Sequence, residues 1–370
     1  MKITIVQGAF LPVPSLRGGA IEKAWFELGK AFAKEGHEVT HISRLCDNLP
    51  KEEFINDVCH IRVPSRNAVP NPYLLKLLEF LYVWRVRKVL PKADILITNA
   101  FWAPILFDPK KNGKVYVHVG RYPKGQLKLY RKAFRLQAPS SAIALAIEEE
   151  VPNWKKRIST IPYPLPWKID DSVTPFKKRK KRVLFLGRIH PEKGIIELIR
   201  AWHKLTNEQK NDWELRIVGP WRFEQGGGGT DFVDKVKQEI KKEDSKIKLC
   251  EPIFDQTKIK SEYEAARLFV YPSLAEKGET FGLSVLEAMS MGCIPMVSSL
   301  ACFNDFISSK FGYICQAQRS NFDNELVETL KKFFSLEQEH ETQSKACIQK
   351  AKEFSLEKVA NQFLDDFKLP

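Results

Sequence analysis

Glu279-Thr280-Phe281-Gly282-Leu283-Ser284-Val285-Leu286-Glu287-Ala288-Met289 is the stretch whose reading decides the fold. Ahead of it, Leu268-Phe269-Val270-Tyr271-Pro272-Ser273 is a short apolar run closed by proline, which reads as a buried strand ending in a loop. Behind Gly282, the apolar residues Val285, Leu286, Met289 and Met291 keep helical spacing until Gly292, a C-terminal stop. Ile294-Pro295-Met296-Val297 then reads as the next strand. A strand, a glycine turn and a helix start make an anion site, because first-turn N–H groups have no acceptor inside the helix. Glu279 precedes the turn and Glu287 lies one to two turns into the helix. They are not a dyad on adjacent helix positions; one faces whatever enters the loop, the other the helix flank. On spacing alone, a solvated loop glutamate and an ordinary helix glutamate are the simpler reading.

The same rhythm extends outward. Val183-Leu184-Phe185-Leu186-Gly187 reads as a strand, followed by the loop Arg188-Ile189-His190-Pro191-Glu192-Lys193-Gly194 and a helix from Ile195. Leu215 to Gly219 repeats strand and turn, and Ile247-Lys248-Leu249 leads into Glu251-Pro252-Ile253-Phe254. Gln225 to Thr230 carries four glycines without the Lys-Ser/Thr ending of a phosphate loop, and reads as a mobile connection. Helices are expected over 324–334, 337–354 and 356–367. In the first half, Lys2 to Val6 is a strand and residues 8–19 a loop; Ala20, Ile21, Ala24, Trp25, Leu28, Ala31 and Phe32 follow helical spacing up to Gly36. With Glu38 to Ile42 this is a Rossmann-type unit. No G-x-G-x-x-G follows the first strand, which argues against a dinucleotide cofactor. A helix over 73–90 and a strand over 93–98 come next, then Val115 to Gly120, a strand with His118 at its end. A lone histidine there is more often structural than functional. Ile161-Pro162-Tyr163-Pro164-Leu165-Pro166, with three prolines, is the strongest linker signal in the chain. The α/β rhythm therefore divides into 1–165, 166–355 and a last helix over 356–370.

Composition bounds the function. The 370 residues are 44% hydrophobic and 28% charged, which excludes a disordered chain. Seven cysteines form no C-x-x-C pair, a pattern that fits a reducing cytosol rather than a disulfide framework or structural zinc. Met1 to Val6 is too short and too soon polar for a signal peptide, and Lys76, Glu79, Arg85, Arg87 and Lys88 interrupt the most apolar run, so no spanning helix is expected. The net charge of +14 is uneven: residues 1–170 hold 27 Lys and Arg against 15 Asp and Glu, and the rest hold 32 against 30. The first half is therefore expected to meet an anion: nucleic acid, an anionic membrane face or a phosphate-bearing substrate. Arg121, Lys124, Lys128, Arg131, Lys132 and Arg135 share one segment with Tyr122, Leu127, Leu129, Tyr130 and Phe134, which suits either an interfacial segment or a solvated face. Lys177 to Arg182 is an unbroken basic run, read as solvated or as a nucleic-acid patch.

The stretch E-T-F-G-L-S-V-L-E-A-M-S-M-G-C-I-P resembles the signature of retaining glycosyltransferase family 4, with small departures at Ser290, Cys293 and Met296. The resemblance implies the GT-B architecture, a group 1 glycosyltransferase of two Rossmann-like parallel-sheet α/β domains facing an interdomain cleft, with the last helix crossing back to the first. Gly187 to Gly194 resembles the family's G-R-L-x-x-E-K-G, in which Arg188 and Lys193 match the cations that clamp the donor diphosphate. Gly18-Gly19-Ala20-Ile21-Glu22 resembles its glycine-glycine opening followed by glutamate, where backbone approaches the diphosphate and acceptor. His118 matches a histidine facing the donor sugar. By the same resemblance Glu279 holds sugar hydroxyls, the backbone at Thr280, Phe281, Gly282 and Leu283 meets sugar and phosphate, and Glu287 takes the ribose. The segment around Ile253 meets the nucleobase through backbone. Ala301 to Asp305 departs from the family's G-G-x-x-E. No D-x-D is present, so no metal and no cofactor are expected; the donor would be a UDP- or GDP-sugar.

These implications add up to a metal-independent retaining hexosyltransferase acting on a saccharide or lipid-linked acceptor in cell-surface polysaccharide, lipopolysaccharide or glycolipid synthesis. It would be cytoplasmic, with peripheral contact between the basic first domain and an anionic membrane. A GT-B-type phosphorylase or a nucleotide-sugar epimerase is the enzymatic alternative. A nucleic-acid-binding protein is the non-enzymatic one, and the disfavoured partner.

Overall fold

The computed structural model describes residues 1–46, 48–170, 173–241, 246–316, 321–336 and 338–369. Glu337 and Pro370, expected at helix ends, lie outside them. The chain divides into two compact units, one of residues 1–166 with the C-terminal segment from Phe354, the other Trp167–Glu353.

The first unit is built on a sheet of β1 (Lys2–Val6), β2 (Glu38–Arg44), β3 (Glu52–Ile55), β4 (Val58–Val63), β5 (Ile95–Thr98), β6 (Lys114–His118), β7 (Ala133–Ala138) and β8 (Ile158–Thr160), in the order β3-β4-β2-β1-β5-β6-β7-β8. All neighbours are parallel except β3 and β4. That hairpin turns at Asn56 and Asp57, with φ of 50° and 64°, the left-handed pair a tight turn demands. The sequence reading passed over it because β3 is four residues long, two acids followed by Phe54 and Ile55, with no apolar-polar alternation and Phe54 exposed. Helices α1 (Ala20–Lys34), α2 (Pro72–Val89) and α3 (Ser141–Glu150) belong to this unit. The Asn71 side chain caps α2 by accepting from the backbone of Tyr73 and Leu74, with Pro72 pre-set for the first turn.

The second unit is an all-parallel sheet of β9 (Arg182–Leu186), β10 (Glu214–Val218), β11 (Ile247–Cys250), β12 (Leu268–Tyr271), β13 (Ile294–Ser298) and β14 (Tyr313–Cys315), in the order β11-β10-β9-β12-β13-β14. Its helices are α4 (Ile195–Lys204), α5 (Gly229–Lys241), α6 (Gln256–Ala265), α7 (Leu283–Ser290), α8 (Phe322–Ser335) and α9 (His340–Ala351). Every residue of β12 and β13 is buried, as expected for strands covered on both faces. The final helix, α10 (Leu356–Lys368), returns to the first unit, where Val359, Phe363 and Phe367 join a core with Ile5, Trp25, Phe32 and Tyr116. A buried Phe of this kind contributes about 2–3 kcal/mol by area. Asp366 accepts from the hydroxyls of Tyr116 and Ser159, each at 2.7 Å.

Four expectations change. The glycine run at 226–229 is pinned, not mobile: the N–H groups of Gly226, Gly227, Gly228 and Gly229 donate to Phe223, Arg222, Ile189 and Trp221, and α5 starts at Gly229. The basic run Lys177 to Arg182 is not one solvated patch. Arg179 is buried and donates to the Thr174 carbonyl, and buried Arg182 pairs with Glu214 at 2.6 Å and Glu262 at 3.2 Å. The segment from Arg121 to Arg135 is only partly surface: Leu127 and Tyr130 turn into the core and Arg135 is buried 3.5 Å from Asp366, while Arg121, Lys124, Lys128, Arg131 and Lys132 stay exposed. The proline-rich linker is packed rather than free, with Ile161, Tyr163 and Leu165 buried and the Leu165 N–H donating to the Phe354 carbonyl.

Candidate active site

Two loops of the second unit converge at Lys193 and Glu279. The first leaves β9 and ends at Gly194, whose φ of 67° and close approach to the Pro272 carbonyl leave no room for a Cβ. This fixes Lys193 against the loop that leaves β12. Lys193 Nζ lies 2.6 Å from Glu279 Oε2, in a side chain 2% exposed, and 5.3 Å from the Tyr271 ring centre. Burial, the largest influence, pulls the ammonium pKa down, but the Glu279 carboxylate and Tyr271 outweigh it and hold the pKa above its ordinary value. Lys193 is therefore charged, and it is no simple loop cation. The Ser273 hydroxyl also reaches Glu279, at 3.4 Å.

Arg188 stands at the other end of the first loop, half-exposed, bonded to Glu192 at 2.9 Å and to the Gly226 carbonyl at 2.6 Å. Glu192 and the glycine run thus aim the guanidinium; neither stood out as a site residue in the sequence. Gly282 begins α7 with φ of 89° in van der Waals conflict with Phe303 for any larger residue, and no side chain caps the helix. Its N-terminus keeps the donor character that favours an anion. The Phe281 side chain is core, 5.1 Å from the Phe306 ring, so only its backbone can serve a ligand. Thr280 is partly buried and Leu283 buried; Ile253 is partly buried in the loop after β11, and Gly187 sits under the Tyr271 ring.

The two glutamates have separate surroundings. Glu287 is 3% exposed and accepts from the Tyr263 hydroxyl at 3.1 Å. Tyr263 is a partner that an α6 position of ordinary helical spacing gave no reason to single out.

In the first unit, Gly18 and Gly19 adopt φ of 81° and 108° at the start of α1, and the Glu22 carboxylate occupies the space a Gly19 side chain would need. Burial raises the Glu22 pKa to about 6, a perturbed acid that the glycine-glycine-x-x-glutamate spacing could have flagged. His118 is 3% exposed, with Nδ1 against Gln137 Oε1 and Nε2 2.8 Å from the Tyr163 hydroxyl. Burial lowers its pKa to about 4, so the ring is neutral. Among the described residues no group of three or more His, Cys, Asp or Glu is placed to hold a metal ion.

Two Rossmann-like parallel-sheet units, with paired cations and carboxylates at the strand ends of the second, define the GT-B glycosyltransferase class. Solved structures agree on the fold. The chain superposes on sucrose-phosphate synthase from Thermosynechococcus elongatus with a TM-score of 0.78 at 18% identity, covering 99% of this chain and 98% of that one. A glycosyltransferase from Rickettsia africae ESF-5 gives 0.74 at 21% identity, again over 99% and 98%. Anabaena Alr3699/HepE in complex with UDP and glucose gives 0.75 at 16% identity over 99% and 98%. No curated protein matches the sequence significantly. The family model of the glycosyl transferases group 1 matches residues 168–354, and the chain belongs to that family. Membership favours a transferase over the phosphorylase, epimerase and nucleic-acid-binding readings.

Proposed function

We propose that this group 1 glycosyltransferase acts with retention and without a metal, moving a hexose from a UDP- or GDP-sugar to a saccharide or lipid-linked saccharide acceptor in cell-surface polysaccharide, lipopolysaccharide or glycolipid synthesis. The observation that carries the reading is the buried Lys193–Glu279 pair, with Arg188 on the same loop. As the bond from the anomeric carbon to the diphosphate breaks, charge builds on the leaving oxygen, and Lys193, Arg188 and the α7 N-terminus are the groups to stabilise it. The acceptor oxygen bonds to the same face of that carbon, and its proton passes to the departing phosphate. Glu279 orients the sugar hydroxyls, Glu287 takes the ribose, and the backbone near Ile253 meets the base. The Gly18-Gly19 turn and neutral His118 serve the acceptor side and the donor sugar. No cofactor takes part.

The Anabaena structures include complexes with UDP and with UDP-glucose, which supports a nucleotide-sugar screen led by UDP. Thermal shift and initial rates across UDP-, GDP- and ADP-sugars test the reading, with product anomericity reporting retention. EDTA leaves the rate largely intact on this account. Complete loss on chelation, restored by magnesium or manganese, would place a metal at the diphosphate.

Membrane contact is assigned to α2. Tyr73, Leu77, Leu81 and Trp84 recur at helical spacing on its exposed side, opposite the buried Tyr82, Val83 and Val86, and Arg87 and Lys88 are exposed beside them. Among the described residues no helix is long and apolar enough to cross a membrane.

A further inference from the structure

Arg17, Arg44 and Arg66 come from three separate segments of the first unit to line one cavity of about 480 Å³. Ser65 and Asn67 add polar wall, while Leu74 and Leu78 of α2 form an apolar side. Among the described residues, none that lines the cavity is Asp or Glu. Arg44 is the last residue of β2, and Ser65 lies just past the end of β4, so the cavity opens at the carboxyl ends of parallel strands. That is the end at which open α/β sheets bind ligands.

Arg44 and Arg17 are built in, while Arg66 is exposed at the rim. Arg44 is buried, and its Nη1 donates to the Phe10 carbonyl at 2.6 Å and to Asn67 Oδ1 at 3.0 Å. Arg17 Nη1 donates to the same amide oxygen at 3.3 Å, and Ser65 Oγ donates to the Ala9 carbonyl at 2.6 Å. A second hollow of about 490 Å³ carries Lys128, Arg131 and Arg157, but Glu150 also lines it and is spent on the N–H groups of Gly125 and Leu127. The three-arginine cavity is the stronger anion site.

We infer that this cavity binds the phosphate or diphosphate group of the acceptor. A guanidinium offers a planar fork matched to phosphate oxygens, and the volume accommodates a phosphorylated sugar. Arg17 directly precedes Gly18-Gly19, the turn given above to the acceptor. The apolar side at Leu74 and Leu78 belongs to the same helix that exposes Tyr73 and Leu77. The phosphate can thus arrive on a soluble sugar or at the head of a lipid carrier. The inference rests on the glycosyl-transfer reading for its description of the ligand as the acceptor.

Calorimetry with glucose 6-phosphate and with glucose, and flotation with phosphatidylcholine vesicles with and without a polyprenyl phosphate, test it by binding alone. At least one phosphate-bearing probe is expected to bind while its uncharged counterpart does not. The double variant Arg17→Gln/Arg66→Gln should weaken that binding by about tenfold or more, the scale of charge-assisted hydrogen bonds. Arg188→Gln should leave it unchanged, and a melting curve checks that the variants are folded. Binding of the soluble probe assigns a soluble acceptor; binding of the vesicle probe alone assigns a lipid-linked one. Absence of binding by both probes overturns the inference, as does phosphate binding that survives in the double variant or is lost in Arg188→Gln. If phosphate binding follows the prediction but no nucleotide-sugar is turned over, the site stands and the transferase reading fails. Turnover without phosphate binding gives the reverse.

Discussion

Lys193 is where electrostatics and packing meet in one residue. Its side chain is 2% exposed and paired with Glu279, so removing it deletes a cation and strands a carboxylate. Lys193→Ala should lower turnover by roughly 100- to 1000-fold, the scale for a lost transition-state donor. It should also destabilise the fold by on the order of 3 kcal/mol, because a buried pair is broken from one side. Arg188→Ala should give the kinetic loss without the drop in melting temperature, since Arg188 is 41% exposed. Initial rates beside thermal melts separate the two effects, and near-wild-type turnover in either variant removes that residue from the clamp. The glutamates separate in a different assay. Glu287→Ala should weaken binding of the bare nucleoside diphosphate by about 1.5–3 kcal/mol. Glu279→Ala should spare that affinity and depress turnover of the sugar donor. Calorimetry with nucleotide alone, beside a rate assay, decides it; equal effects on nucleotide binding would refute the assigned roles.

Elements behave less locally than residues. Helix α2 looked in the sequence like an apolar run spoiled by charges. In the fold its charges flank an exposed stripe, with Tyr73 86% and Trp84 47% accessible. Large apolar surface of this kind marks a docking face. Vesicles containing anionic lipid should bind the protein, neutral ones should not, and added salt should weaken the contact, as each cation there contributes about 1 kcal/mol over a Debye length of roughly 8 Å. Tyr73→Ser/Leu77→Ser/Trp84→Ser should abolish flotation, whereas Lys128→Ser/Arg131→Ser/Lys132→Ser should only reduce it. Tight RNA binding without vesicle binding at low salt would sink the membrane reading. Packing divides the segment Arg121 to Arg135: Leu127 and Tyr130 turn into the core while Leu129 and the cations Lys128, Arg131 and Lys132 stay exposed, a division that composition cannot reveal.

For the whole molecule, acid should act through the first unit. His41, His60 and His118 are all buried there, and burial lowers all three pKa values, to about 4 for His60 and His118. Each binds a proton in the unfolded chain below about 6.5 but resists it when folded, so their stabilisation is present above that pH and is lost as pH falls toward 4. For His118 alone the full effect is roughly 3 kcal/mol. Denaturant melts from pH 7 to 4 should show it, and His118→Gln should flatten part of the slope. An unchanged slope would mean that His118 is protonated in the fold. The sequence by itself determined the local units: apolar runs covered on both faces had to be parallel strands, and Gly194 and Gly282 had to be glycine where the chain turns left-handed into a helix. Those constraints act within a few residues, so the strand–loop–helix steps and the Glu279 to Met289 motif were legible. Only the tertiary structure decided which charges meet, because Lys193 and Glu279 are 86 residues apart and pair through packing, not periodicity. The same holds for the basic run at 177–182, where Arg182 is neutralised by Glu262, and for the cavity that gathers Arg17, Arg44 and Arg66. Burial sets the energy of a charge, and burial is a property of the assembled fold.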